Sequence, residues 1–297
     1  MAITRRTAIK SLLTAGAVAT AGVPASAARS RRTPDPDAVG MLYDSTLCVG
    51  CRACVSACRR ANGLETQPSN WNGVAYDAPV DLDAHTKTVV KLYEQPGAHA
   101  YVKTQCMHCV DPACVSVCMI GALHKTTGGV VAYDPDKCIG CRYCQVACPF
   151  NVPKFEWSKA APRIVKCELC RDRLSGGRLP ACVEVCPRNA VIFGRRADLL
   201  RQAKNRIAAN PDKYEPKVYG EHEAGGTQVL YLAGVSFENL GFPALSNDPV
   251  PELSETLQHA INQGFIAPLA LYGALAIVMF RNRRHAPADD GWTEVQS

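Results

Sequence analysis

Sixteen cysteines stand in four sets of four: Cys48, Cys51, Cys54 and Cys58; Cys106, Cys109, Cys114 and Cys118; Cys138, Cys141, Cys144 and Cys148; Cys167, Cys170, Cys182 and Cys186. Sets one and three read C-x2-C-x2-C-x3-C, set two C-x2-C-x4-C-x3-C, and set four C-x2-C-x11-C-x3-C. This is the bacterial run for [4Fe–4S] ligation. Three close cysteines hold one cluster, and the fourth, beyond the loop, ligates the neighbouring one. Sixteen thiolates suffice for four [4Fe–4S] clusters, so all sixteen are read as iron ligands and no residue is read as catalytic. A zinc ribbon needs two short knuckles and not a further Cys after x3, four times over. Eight disulfides would need no such period. No C-x-x-C-H occurs, so covalent haem attachment lacks its motif.

An internal repeat relates the sets. Tyr43–Arg52 matches Tyr133–Arg142, and Pro112–Cys118 matches Pro180–Cys186. Sets one and three are therefore one type, and sets two and four another. Gly50 and Gly140 sit where a loop must approach a cluster without a Cβ. A Pro commonly follows the fourth Cys of such runs; Pro149 and Pro187 fit that pattern, whereas Arg59 and Met119 stand in its place in sets one and two. His108, inside Cys106-Met107-His108-Cys109, is expected either to donate to sulfur or to lie on the surface. Around these loops, residues 89–93, 129–133 and 228–233 read as strands. Residues 197–209 carry Leu199, Leu200, Ala203 and Ile207 at helical spacing. Lys154, Lys166, Arg171 and Arg173 flank sets three and four and read as a solvated face, with raising cluster potential or docking an acidic partner as the alternative.

The chain has 297 residues, 47% hydrophobic and 20% charged. It is long enough to bury a core and too large for a disulfide-stapled mini-protein. The net charge of +6 includes Arg5, Arg6 and Lys10 of an acid-free leader; 6 − 3 leaves +3. Thiolate-ligated clusters would make the loaded chain mildly acidic, which argues against a nucleic-acid partner. Thr4–Lys10 supplies a basic start with paired arginines. An apolar stretch from Leu12 to Val23 and the small residues Ala25-Ser26-Ala27 follow. Residues 1–27 thus read as a twin-arginine export signal. Export of a folded chain suits cysteines that must be loaded before meeting an oxidising compartment. Residues 264–280 carry no charge and run into Arg281-Asn282-Arg283-Arg284. They read as a single C-terminal transmembrane helix with a cytoplasmic tail. The expected division is signal 1–27, cluster domain 28–258, anchor 259–283 and tail 284–297, on the periplasmic face of the inner membrane. His259 falls at the outer end of the anchor and reads as an interfacial residue, with a quinone hydrogen bond or a haem ligand as the alternatives.

Several stretches resemble a family: Gly40–Cys51, Gln105–Pro112, Cys148–Lys154, Val183–Pro187 and Tyr219–Gln228. They are similar to the HybA-type iron–sulfur subunits of membrane-bound [NiFe] uptake hydrogenases. The resemblance implies an α+β fold of two ferredoxin-like two-cluster modules and a non-catalytic electron-transfer component of a hydrogen:quinone oxidoreductase. It implies as partners the large and small hydrogenase subunits and a multi-helix quinone-reactive membrane subunit. It also implies nested ligation. Cys48, Cys51, Cys54 and Cys186 would hold one cluster, and Cys167, Cys170, Cys182 and Cys58 its neighbour. Cys106, Cys109, Cys114 and Cys148 would hold the third, and Cys138, Cys141, Cys144 and Cys118 the fourth. Spacing alone leaves sequential pairing open. The β subunits of formate dehydrogenases share the four clusters and the Tyr219–Glu223 stretch, and a β subunit of a formate dehydrogenase or related molybdoenzyme is the alternative in the same class. A tethering assembly scaffold is the alternative in another.

Overall fold

The computed structural model describes residues 32–65, 79–159, 162–252, 255 and 266–284. The export signal, His259 and most of the tail lie outside the described residues. The chain divides into residues 31–252 and a second unit made of both termini.

The first unit is built from short pieces in the order β1 (Val39–Asp44), α1 (Ala53–Ala61), β2 (Thr88–Gln95), β3 (Ala98–Gln105), α2 (Ala113–Ser116), β4 (Leu123–Lys125) and β5 (Val131–Tyr133). There follow α3 (Tyr143–Ala147), β6 (Lys154–Phe155), β7 (Ile164–Val165), α4 (Arg171–Ser175), α5 (Ala181–Glu184), β8 (Val191–Arg195), α6 (Arg196–Ala209) and β9 (Val229–Leu232). Helices of four or five residues do not persist alone in water. They are held by what they pack on.

The organising element is a three-stranded sheet in the order β8-β1-β9. β1 pairs antiparallel with β8, Met41 opposite Phe193, and parallel with β9, Met41 opposite Val229. Side chains alternate across a strand, and this sheet buries both faces. Leu42, Leu230 and Leu232 turn to Leu199 and Ala203 of α6 and to Tyr214 and Val218. Met41, Tyr43, Val229 and Tyr231 turn the other way, onto a core that contains Cys182 and packs on Cys48, Cys54 and Cys109. The 14-residue α6 is thus a backing layer. It is also tied by charge: Asp44, fully buried, accepts from Arg206 Nη1 and Tyr214 Oη, both at 2.9 Å.

β2 and β3 form a hairpin with Thr88 opposite Gln105 and Gln95 opposite Ala98. Pro96-Gly97 closes it. Proline presets the first turn position, and Gly97 at φ 80° takes the second, which favours glycine. A second core joins Leu123, Val131, Tyr133, Phe155 and Ile164 around Cys114 and Cys144.

The C-terminal helix, α7 (Ile266–Arg284), corrects the reading of an anchor. Among the described residues, no helix is long and apolar enough to cross a membrane. α7 ends in Arg281, Arg283 and Arg284, so its uncharged part is 266–280. At 1.5 Å per residue that part spans about 22 Å, short of a hydrocarbon core of about 30 Å. The expected transmembrane helix is withdrawn. The periplasmic placement by a C-terminal anchor and cytoplasmic tail is withdrawn with it.

Candidate functional site

The four C-x2-C loops share one backbone device. The residue before the second Cys has positive φ in each: Gly50 at 67°, His108 at 49°, Gly140 at 70° and Leu169 at 52°. That left-handed step curls the loop so that backbone N–H groups face inward. The N–H of Leu169 donates to Cys167 Sγ at 3.4 Å, and that of His108 donates to Cys106. Three residues after the fourth Cys, the chain turns again with positive φ at Gly121, Asn151 and Asn189. At Gly50 the glycine has a second reason: a Cβ there would lie 2.2 Å from the Tyr101 ring.

Folding gathers the cysteines across the sets. Burial pushes the Cys54 thiol up, and Cys48, Cys51 and Cys186 push it further, against the opposing pull of Lys103. Those four thiols line one cavity with Tyr43 and Val90. Cys58 is raised by burial and then by Cys167, Cys182 and Cys170, while Lys103 again pulls down. Burial raises Cys109, with Cys106, Cys114 and Cys148 adding to it. Cys144 is pushed up to about 11 by burial and then by Cys138, Cys141 and Cys118. These neighbourhoods follow one another in space. Cys182 feels Cys54, Cys106 feels Cys167, and Cys114 feels Cys144. Only Cys51 and Cys141, in the two end groups of this row, are exposed.

The donor set fits [4Fe–4S] clusters. Among the described residues, no three His, Cys, Asp or Glu side chains converge on one ion. Thiolates on one zinc would lie about 3.8 Å apart, given a Zn–S distance of about 2.3 Å. A cubane spreads four thiolates over four irons.

Three lysines that sequence reading missed or misplaced lie among the thiols. Lys103, 1% exposed, donates to Thr88 Oγ1 and Gln105 Oε1. Burial presses its ammonium down, but Cys182, Cys54, Cys167 and Cys58 outweigh that, and its pKa is raised. Lys166, 2% exposed and so not part of a solvated face, donates to the carbonyls of Val131 and Cys167. Lys125 donates to Cys109 O at 2.5 Å and Gly129 O at 3.1 Å, and burial pushes it down to about 8. Of the other flanking charges, Arg173 pairs with Glu184, and Arg171 lies 3.7 Å from Glu168. A lone lysine between Val102 and Thr104 carries no sequence signal of burial. Only the approach of four distant cysteines gives it a place.

His108 is buried and not on the surface. Its Nδ1 accepts from the Val131 N–H at 3.0 Å, and its Nε2 has no hydrogen-bond partner among the described residues. Burial, then Lys166 and Lys125, hold it well below the usual imidazole range, so the ring is neutral and Nε2 carries the proton.

The stretch 219–229 clamps the second loop from behind. Val110 N–H donates to Gly226 O, and the N–H groups of Gln228 and Val229 donate to Met107 O. Glu223 holds this clamp's own turn, accepting from the Gly220 N–H at 2.7 Å and lying 2.7 Å from Lys217 Nζ.

Residues 98–196 match the model of a 4Fe-4S dicluster domain family. The chain is 41% identical to the hydrogenase-2 operon protein HybA of Escherichia coli, over 97% of this chain and 98% of that protein. It is 37% identical to the iron-sulfur subunit of the nitrate-inducible formate dehydrogenase of Escherichia coli, over 80% of this chain and 81% of that one. It is 36% identical to the formate dehydrogenase iron-sulfur subunit of Haemophilus influenzae, over 82% of each.

Proposed function

The chain belongs to the HybA family of iron–sulfur electron-transfer subunits, and we propose that it conducts electrons from a [NiFe] hydrogenase to a quinone-reactive partner subunit. [4Fe–4S] clusters, when bound, accept and release single electrons over a wide range of potentials. The protein's part is to hold them in one row with buried middle and open ends. The observation that supports this most directly is the placement of Cys51 and Cys141, the two exposed thiols, at opposite ends of the row.

Residues 28–258 are the cluster-bearing domain in this reading. The ligand sets are Cys48, Cys51, Cys54 and Cys186; Cys58, Cys167, Cys170 and Cys182; Cys106, Cys109, Cys114 and Cys148; and Cys118, Cys138, Cys141 and Cys144. Their mutual electrostatic reach supports that grouping over sequential pairing. Inward N–H groups on the sulfurs favour the reduced, more negative state. The apolar walls from Tyr43, Val90 and Phe155 exclude water.

The test is to isolate the complex through a C-terminal tag, assay iron and sulfide, and add H2 or formate. The expectation is about 16 irons per chain, four per cluster, and reduced [4Fe–4S] EPR signals with H2. Reduction by formate and not by H2 would move the chain to the formate dehydrogenase reading, which the 37% relative keeps in play. Clusters reducible by dithionite but by neither donor would point to another electron donor or to the tethering scaffold.

A further inference from the structure

Lys103 and Lys166 are fully buried cations without a carboxylate. Among the described residues neither makes an ion pair, and every acceptor they have is neutral: Thr88 Oγ1 and Gln105 Oε1 for one, the Val131 and Cys167 carbonyls for the other. A buried ammonium left in that company is costly. Among the described residues, the charges acting on these lysines or acted on by them are mainly cysteines, which are thiolates once they hold iron. Those thiolates come from two groups in each case. Lys103 is acted on electrostatically by Cys54 of the first group and by Cys58, Cys167 and Cys182 of the second. Lys166 acts on Cys167 of the second group and on Cys106, Cys114 and Cys148 of the third. The thiols facing Cys144 in the fourth group are Cys138, Cys141 and Cys118, with no buried lysine among its main influences.

We propose that Lys103 and Lys166 are potential-setting residues, each shared by two successive clusters, so that the first three clusters of the row, the second above all, are easier to reduce than the last one. This rests on the ligand grouping given above. A fixed positive charge in a dry site stabilises an electron arriving on either side of it and is little screened by salt. Sharing one cation between two sites levels their potentials and favours passage between them. The second cluster, touched by both lysines, gains from each. The hairpin of β2 and β3 makes this possible. Thr88 and Gln105 are partners in register, and both accept from Lys103, so the ammonium is fixed by the sheet and not by a flexible tether.

The experiment is an EPR-monitored redox titration of the intact complex carrying Lys103→Met or Lys166→Met, with iron and sulfide assayed in the same samples. Each substitution is expected to move two of the four steps to lower potential. The two pairs share one step, and one step moves in neither. With iron content unchanged, four unmoved steps, or four moved equally, would overturn the proposal. Should Lys103→Met not assemble, Thr88→Asp sets a carboxylate against the ammonium while leaving it in place. It is expected to lower the same two steps, and its silence in a fully loaded complex would overturn the proposal as well. A wrong ligand grouping has a different signature: both lysine variants shift potentials, but the moved pairs share no step or more than one.

Discussion

At Gly50 two independent requirements meet in a residue with no side chain: φ of 67° and the Tyr101 ring where a Cβ would be. Gly50→Ala is expected to cost about 1–2 kcal/mol for the left-handed backbone and a further 1–3 kcal/mol, roughly, for overpacking. Gly63 is the control. It also has positive φ, but nothing lies within 4 Å of an added Cβ, so Gly63→Ala should cost only the backbone part. Thermal unfolding of the loaded complex measures both. Loss of one ligand is a different experiment. Cys138→Ser is expected to lower iron by about four of roughly 16 atoms per chain. Hydrogen oxidation with artificial dyes should survive it, and quinone-linked turnover should not. Retained quinone-linked turnover in an assembled complex would favour the scaffold over the wire.

Among elements, α6 and the clamp after it carry the stability that the short cluster helices cannot. Arg206→Ala removes the guanidinium from buried Asp44 but leaves Tyr214 and Thr46 as donors. The expected loss is about 1–3 kcal/mol, read by denaturant titration, with cluster potentials unchanged because α6 lies behind the sheet. Glu223 gives the clamp a pH dependence. Burial would raise its carboxyl, but Lys217 and the backbone N–H groups of Glu223 and Gly220 prevail and its pKa is lowered. A lowered folded pKa stabilises above the unfolded value, about 4.3, and that stability is lost as pH falls through the folded pKa. Unfolding between pH 6 and pH 3 should therefore show a smaller acid-side loss in Glu223→Gln than in the parent. An equal loss in both would place the acid-sensitive group elsewhere.

For the whole molecule, the cores and the thiols are one system. Cys182, Cys114, Cys144, Cys106 and Cys167 are themselves core members, and among the described residues no helix between β1 and β8 exceeds nine residues. Cluster binding is then in large part folding energy. Chelation or oxidative loss of iron is expected to abolish the cooperative unfolding transition and near-ultraviolet dichroism and to expose residues 79–190 to proteolysis. An apo chain that kept a sharp transition would show that the β8-β1-β9 sheet and α6 suffice alone.

Much of this was legible in one dimension because iron–sulfur ligation is local. Each C-x2-C loop needs two thiols a fixed distance apart and a backbone that turns between them, so spacing and glycine report it directly. The strands at 89–93 and 228–233 and the helix at 197–209 were equally visible, since their periodicity follows from burial of one face. The tertiary structure decided what depends on distant approach. It brought Cys186 to Cys54 and Cys148 to Cys109, put His108 inside, and turned Lys103 and Lys166 from ordinary charges into cations enclosed by thiols. It also overturned the C-terminal anchor, because an uncharged run in sequence becomes a membrane span only if the helix built on it is long enough. Burial and proximity between segments a hundred residues apart are properties of packing, and no local pattern carries them.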